Sequence, residues 1–320
     1  MITLEMVRQA RKTIAPFVHR TPTEASETLT TLLGIRVSLK LELFQKTGSF
    51  KPRGAFNQLL GLTAEERSHG VVAVSGGNFA QGVAYAGRVL EVRTRIIMPE
   101  GTPINYLEAT RGYGAEVELA TTIAEAFARA EGYQQQGWSA VHPYDDERMM
   151  AGDGTIGLEL LEEVPDMTDL VVSIGGGGLI TGVAVAVTSL RPQVRVWGVE
   201  TIGADAMTRA LAAGKVVEIK PTSLAKTLGA PNVAEDALRV ARERLAEVLV
   251  VSDQEAYQAL ELLLERAKVL PELAASATLA AARRLQGRFE ADTHLVLLLC
   301  GGNVSLADLC GYRARFGAAS

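Results

Sequence analysis

Cysteine is scarce in this chain: Cys300 and Cys310 are the two it has. Two thiols cannot build a disulfide framework, so a reducing cytoplasm is the expected setting. Basic surplus is missing too. The 32 Lys and Arg fall short of the 37 Asp and Glu, giving a formal net charge of -5. Nothing is left over to neutralise a phosphate backbone, so no nucleic-acid partner is expected. Long apolar runs are absent: the best candidates, such as Leu295–Cys300, are strand-sized and far short of a membrane span. The opening MITLEMVRQARKTIAPF mixes acids and bases with apolar residues at helical spacing, unlike the unbroken apolar stretch of a signal peptide. No membrane association is expected. The histidines His19, His69, His142 and His294 are scattered, without metal-like spacing.

What is present suits a globular protein of ordinary composition, 48% hydrophobic and 22% charged. Short β-branched runs alternate with longer amphipathic stretches. Val71–Ser75, Arg95–Met98, Glu116–Leu119, Leu170–Ile174, Val194–Val199 and His294–Leu299 read as strands. Gln81–Leu90, Ile123–Gln136, Thr155–Glu163 and Leu179–Leu190 read as helices. Apolar strands alternating with helices predict an α/β fold with a largely parallel sheet covered on both faces. The turn-rich segment His142–Gly157 predicts a seam where the chain passes from one lobe to another. The stretch Gly203–Pro231 reads as irregular, broken by Pro221 and Gly229.

Three glycine turns follow strands. Gly175–Gly178 (GGGG) precedes a helix, where consecutive backbone N–H groups and the helix N-terminus can hold a phosphate. Gly176, Gly178 and Gly182 also approximate a dinucleotide fingerprint, with Glu200 at the end of the next strand. The register is imperfect because Thr181 takes the third glycine's place, so a nicotinamide-binding oxidoreductase stands as a rival of a different class. Ser75–Phe79 (SGGNF) opens another helix and suits a carboxylate or phosphate, or simply a helix capped by Ser75 or Asn78. Cys300–Asn303 (CGGN) is the third turn. Ligands of α/β sheets bind at the carboxyl ends of strands, so three such turns imply one shared pocket.

Lys51 lies in KTGSFKPRGAF, which periodicity alone would pass over as an exposed loop. This segment resembles the cofactor-lysine motif of the fold type II pyridoxal-phosphate enzymes, in the threonine dehydratase and serine racemase branch. The S-x-G-N loop, the glycine tetrad and the terminal C-G-G-N follow in that family's order. HPYDD at His142, ATRGYGAEV at Ala109, GTIGLEL at Gly154 and Glu272 add further matches, so that the likeness spans roughly residues 10–305.

The resemblance implies a two-lobed, tryptophan synthase β-like fold of mostly parallel sheets covered by helices. Residues 1–69 and 146–320 are expected to form the large cofactor-binding domain and 70–145 the small one. It implies pyridoxal 5'-phosphate on Lys51 as a Schiff base, with Phe50 beside the ring and Asn78 on its 3-hydroxyl. Gly175, Gly176, Gly177 and Gly178 would bind the phosphate, and Cys300 would meet the pyridine nitrogen. Ser75, Gly76, Gly77, Asn78 and Phe79 would receive the substrate carboxylate. The activity implied is a deaminating dehydratase of L-threonine or L-serine, which removes the Cα proton, eliminates the β-hydroxyl and releases a 2-oxo acid and ammonia. Hydroxyaspartate, a phenylserine-like substrate or β-replacement are the alternatives within the same fold. A neutral thiol at Cys300 would make the ring a weaker electron sink than an acidic partner would, which suits elimination.

Departures from the family pattern bear on substrate and partners. Family racemases place a serine immediately before G-N as second base; here that position is Gly76, so little racemase activity is expected. Phe79 stands where a histidine is usual, and Lys226 and Thr227 replace an Asp-Gly pair. A cation site is a weaker expectation: Glu200 matches one family ligand, but Ala206 occupies the place of an acidic one. The chain ends soon after CGGN, so no regulatory C-terminal domain and no feedback inhibition by isoleucine are expected. A homodimer is implied by the family alone.

Overall fold

The aliphatic runs form strands and the amphipathic stretches between them form helices, the division that side-chain periodicity dictates. A computed structural model describes residues 1–317. The chain begins with α1 (Leu4–Ile14), β1 (Thr23–Ala25), α2 (Glu27–Leu33), β2 (Arg36–Leu41), α3 (Lys51–Leu60) and α4 (Ala64–His69). It continues through β3 (Val71–Val74), α5 (Asn78–Val89), β4 (Thr94–Pro99), α6 (Ile104–Gly112), β5 (Glu116–Ala120), α7 (Ile123–Gln135) and β6 (Ser139–Ala140). Then come α8 (Glu147–Glu163), β7 (Asp169–Ser173), α9 (Gly178–Leu190), β8 (Arg195–Thr201) and α10 (Ala206–Ala213). The last elements are α11 (Glu235–Arg244), β9 (Leu245–Val251), α12 (Asp253–Leu262), α13 (Leu273–Leu285), β10 (His294–Leu299) and α14 (Leu306–Phe316).

Two sheets carry the fold. A six-stranded sheet runs β1-β2-β10-β7-β8-β9 and a four-stranded one β5-β4-β3-β6. Strand β1 lies antiparallel to β2, whereas β2, β10, β7, β8 and β9 pair in parallel, as do all the strands of the smaller sheet. Parallel strands need helical crossovers that cover both faces. Accordingly β7 and β10 are buried almost throughout, in a core built from α9, α13 and the large sheet. The glycine turns after β3, β7 and β10 lie at carboxyl ends of strands.

Helix α8 holds the parts together. It runs 17 residues and is capped by Asp146, whose side chain accepts from the Met149 N–H at 2.8 Å. Sequence periodicity places only its second half in a helix, because Gly152, Gly154 and Gly157 read as turn formers. In the structure they are packing positions. A Cβ on Gly152 would stand 2.5 Å from the Arg53 carbonyl oxygen, and one on Gly154 would stand 2.7 Å from that of Gly182. Successive helical residues are rotated by about 100°, so positions 152 and 154 face nearly opposite ways. One lets α3 in against α8 and the other lets α9 in.

Four strands escape periodicity, the short β1 (TEA) and β6 (SA) and the longer β2 (RVSLKL) and β9 (LAEVLVV). In β2, Lys40 is fully buried, paired with Glu159 and Glu163 of α8. A charged residue at a core position hides the apolar run from inspection. The stretch expected to be irregular contains α10, whose first N–H groups are capped by Glu200 from β8.

Candidate active site

The carboxyl-end turns and the start of α3 enclose a cavity of about 580 Å³. Phe50, Lys51, Ser75–Phe79, Gly175–Gly178 and Cys300 all line it. Every residue that the sequence nominates for cofactor or substrate therefore meets in one space. Glu200 does not: it lies outside the cavity at the foot of α10.

Lys51 opens α3, and Pro52 at the second helical position stiffens that first turn. Its Nζ donates to the Pro143 carbonyl at 2.5 Å and lies 4.8 Å from the Phe50 ring centre and 5.6 Å from that of Phe79. The side chain borders the open cavity, yet the protein packed around its amine desolvates it. That burial lowers its pKa, against opposing pulls from Asp153, Cys300 and Glu272. An amine lowered in this way can hold or give up a proton nearer neutrality than an exposed lysine can.

The glycine tetrad presents backbone donors. Among the described residues, the N–H groups of Gly175, Gly176 and Gly177 find no acceptor in the protein, and Gly178 starts α9 with its own N–H free. Gly177 has φ +95, and a Cβ there would strike Ala237; at Gly176 it would strike the Tyr144 ring. The turn is thus packed tight on its protein side, leaving free N–H groups at a helix N-terminus, the donor set that an anion takes.

Asn78, at the first position of α5, is held on both sides. Its amide donates to both Glu272 oxygens at 3.0 Å, and its carbonyl oxygen accepts from Asn303 at 2.8 Å. Thr227 donates to Glu272 as well, at 2.9 Å. Burial raises the Glu272 pKa, while the bonds from Asn78 and Thr227 hold it down. Cys300 is buried, and that burial together with Glu272 pushes its thiol well above the ordinary value, so it stays a neutral thiol. The CGGN turn is zipped to the lysine segment: Phe50 N–H donates to the Cys300 carbonyl at 3.0 Å, and Gly302 N–H to that of Gly48 at 2.9 Å.

Beyond Gly76 stands Thr102, whose Oγ1 would lie 2.5 Å from a Cβ added at residue 76. Ser75 is turned inward on its own loop, accepting from the Gly77 N–H at 3.3 Å. Sequence reasoning passes over Pro143, Tyr144, Asn303 and Thr102. Tyr144 packs on Gly176 and donates to Asn232 at 3.0 Å, a contact between residues far apart in the chain. HPYDD was the available signal for Pro143 and Tyr144, and it assigns neither a role.

Glu200 accepts from Met207 N–H at 2.7 Å and from both Thr208 N–H and Thr208 hydroxyl at 2.8 and 2.7 Å. Burial raises its pKa to about 7 against those bonds. No group of three or more His, Cys, Asp or Glu side chains able to hold a metal ion occurs among the described residues.

The pyridoxal-phosphate-dependent enzyme family matches residues 14–301. The chain belongs to that family. This enzyme is 40% identical to L-threonine ammonia-lyase of Thermotoga maritima over 96% of its own length and 77% of that protein's. It superposes on maize serine racemase with a TM-score of 0.92 at 32% identity, covering 98% of this chain and 97% of that one. On the T.th. threonine deaminase the TM-score is 0.89 at 39% identity, over 95% of this chain and 99% of that one. The pyridoxal-phosphate enzyme thus has the fold type II architecture of the threonine dehydratase and serine racemase branch. The nicotinamide reading of Gly176, Gly178 and Gly182 falls away: Gly182 serves the contact between α8 and α9. No helix among the described residues is long and apolar enough to cross a membrane.

Proposed function

We propose that this chain is a pyridoxal-phosphate-dependent ammonia-lyase that converts L-threonine or L-serine to a 2-oxo acid and ammonia. The observation that carries it is Lys51, a desolvated amine sharing one cavity with a run of unpaired glycine N–H groups. The names of the relatives, L-threonine ammonia-lyase and threonine deaminase, support the substrate class.

Pyridoxal phosphate would be held by Lys51 at its carbonyl carbon, by Gly175–Gly178 at its phosphate, and by Phe50, Asn78 and Cys300 around its ring. When bound, it supplies an electron sink for negative charge developing at the substrate Cα. The chain's own residues do the rest. The N-terminus of α5, with Ser75–Phe79, faces the cavity and suits the substrate carboxylate. Lys51 takes the Cα proton at Nζ and holds it until the β-hydroxyl departs. Asn78 is oriented by Glu272 and Asn303, so its position is set before substrate arrives. Cys300, as a neutral thiol, places no fixed negative charge at the ring nitrogen and favours elimination over deeper charge withdrawal.

The soluble cytoplasm is the compartment we assign, and a homodimer the assembly, both resting on kinship with the family. The test is direct. Purified protein should be yellow, with a visible absorption band that Lys51→Ala abolishes, and should release 2-oxo acid from L-threonine or L-serine. Colourless protein that takes up no pyridoxal phosphate would overturn the assignment. A coloured protein idle on threonine and serine but active on hydroxyaspartate or phenylserine would move the substrate and keep the chemistry.

A further inference from the structure

Asp153 takes no part in the chemistry just described, yet few groups in the protein are so constrained. It is fully buried, at 0% exposure, and the one donor that approaches its carboxylate among the described residues, the Gly54 backbone N–H, falls short of a formed hydrogen bond. A carboxylate so placed would forfeit its hydration without replacement, a cost that ordinarily forces the neutral form.

Its position follows from the crossing of α3 and α8. Gly152 brings the two backbones together, for a Cβ there would lie 2.7 Å from the Gly54 Cα. The next residue, Asp153, goes under the first turn of α3, where a Cβ on Gly54 would meet its Oδ1 at 2.9 Å. Lys51 precedes Gly54 by three residues, one helical turn, so it shares that face of α3. The carboxyl therefore sits beneath the lysine.

Among the described residues, no other cation nearby is free to pair with it. Arg53 is the obvious candidate, but its guanidinium is spent on Glu42, Glu159, Thr155 and the His19 carbonyl. Lys40, on β2, is taken by Glu159 and Glu163 further along α8. Helix α9 (GLITGVAVAVTSL) brings no ionisable side chain, and α1 meets this part of α8 through Val7, its Arg11 pairing with Glu162. Glu42 adds a like charge. The one group left to respond to Asp153 is Lys51.

We propose that Asp153 is a positioning residue for Lys51, a carboxylic acid kept neutral beneath α3 whose ionisation pulls the lysine nitrogen toward its charged form. The direction of each shift agrees: burial raises Asp153 to about 8, opposed by Lys51 and Arg53, while an ionised Asp153 would raise Lys51. Through neutral pH the acid keeps its proton and adds nothing to the pull that Glu272 already exerts on Lys51 from the cavity wall. In mildly alkaline solution the anion appears and holds a proton on the lysine nitrogen, setting an upper limit to the working range.

The inference rests on the cofactor assignment to Lys51, and its test separates the two. The visible absorption of the pyridoxal-phosphate-loaded protein reports the charge at the Lys51 nitrogen without any turnover. Followed from about pH 6 to about pH 9.5, the native spectrum should titrate with a midpoint near 8, and Asp153→Asn should remove that transition or move it by about one unit or more. A band that titrates identically in both proteins, or does not titrate in the native one, overturns the proposal while leaving the cofactor assignment standing. Absence of any band overturns the cofactor assignment instead. If Asp153→Asn does not fold, as judged by circular dichroism, Asp153→Ser removes the same charge and is read the same way.

Discussion

The amide of Asn78 donates to both carboxylate oxygens of Glu272, joining the first helix of the smaller sheet to the start of α13 in the larger. Since Asn303 closes the other side, Asn78 has a single orientation in which all its partners are satisfied. Thr227, in the loop before α11, adds a second donor group to the same carboxylate. Four segments distant in sequence thus meet on one buried acid at the cavity wall.

Removal of that acid leaves the Asn78 amide and the Thr227 hydroxyl facing a hole. Glu272→Ala should cost about 1 to 3 kcal/mol in denaturant unfolding, the ordinary penalty for stranding buried donors. It should also weaken retention of pyridoxal phosphate, because Asn78 loses its fixed orientation. An unfolding midpoint equal to the native one would show that the donors find water or other partners.

Tyr144 leaves no room at the glycine tetrad. Gly176→Ala would drive a methyl into its ring and should destabilise the protein by about 1 to 3 kcal/mol. The clash is specific, so Tyr144→Ala in the same chain should recover part of that loss. A double-mutant cycle checks it; strictly additive effects would mean that the two residues do not press on each other.

Gly76 lines the cavity without a side chain, and Thr102 stands where one would project. Chiral chromatography of L-serine incubated with pure protein should show 2-oxo acid with no D-serine above an enzyme-free control. Robust formation of D-serine would reveal a second base that this geometry lacks.

The buried Asp153 also makes stability depend on pH. Its folded pKa, about 8, lies above the ordinary carboxylate value, so the folded chain binds more protons there than the unfolded chain does. Stability is then greatest below the unfolded value and is lost as pH rises toward about 8. Asp153→Asn lacks this loss, so its unfolding free energy in cofactor-free protein should gain on the native one between about pH 4 and pH 8, by an amount on the order of a few kcal/mol. A difference that stays constant across that range would mean that Asp153 is ionised in the folded state at every pH tested.

Much of the site is legible from residue order, because the strand-end turns carry glycines whose absence of side chain is visible in the letters. His294–Leu299 keeps its expected bounds as β10, since an unbroken aliphatic run needs no tertiary information to be read. The contrast is α8. Its glycines read as turns until α3 and α9 are in place, and only then show themselves as contact points. The strand β2 hides for a related reason: Lys40 is tolerable at a core position only because α8 supplies its carboxylates. The role of Tyr144 is invisible for the same cause, a contact across the fold.

The double crossing of α8 has a mechanical meaning. The lysine rides on α3 and the phosphate turn begins α9, and both helices touch the backbone of α8 with no side chain in between. Neither can slide without dragging the other. The two anchor points for pyridoxal phosphate are therefore mounted on a common chassis. Any give needed to admit and release a substrate must come from the opposite wall, where α5 hangs from the smaller sheet.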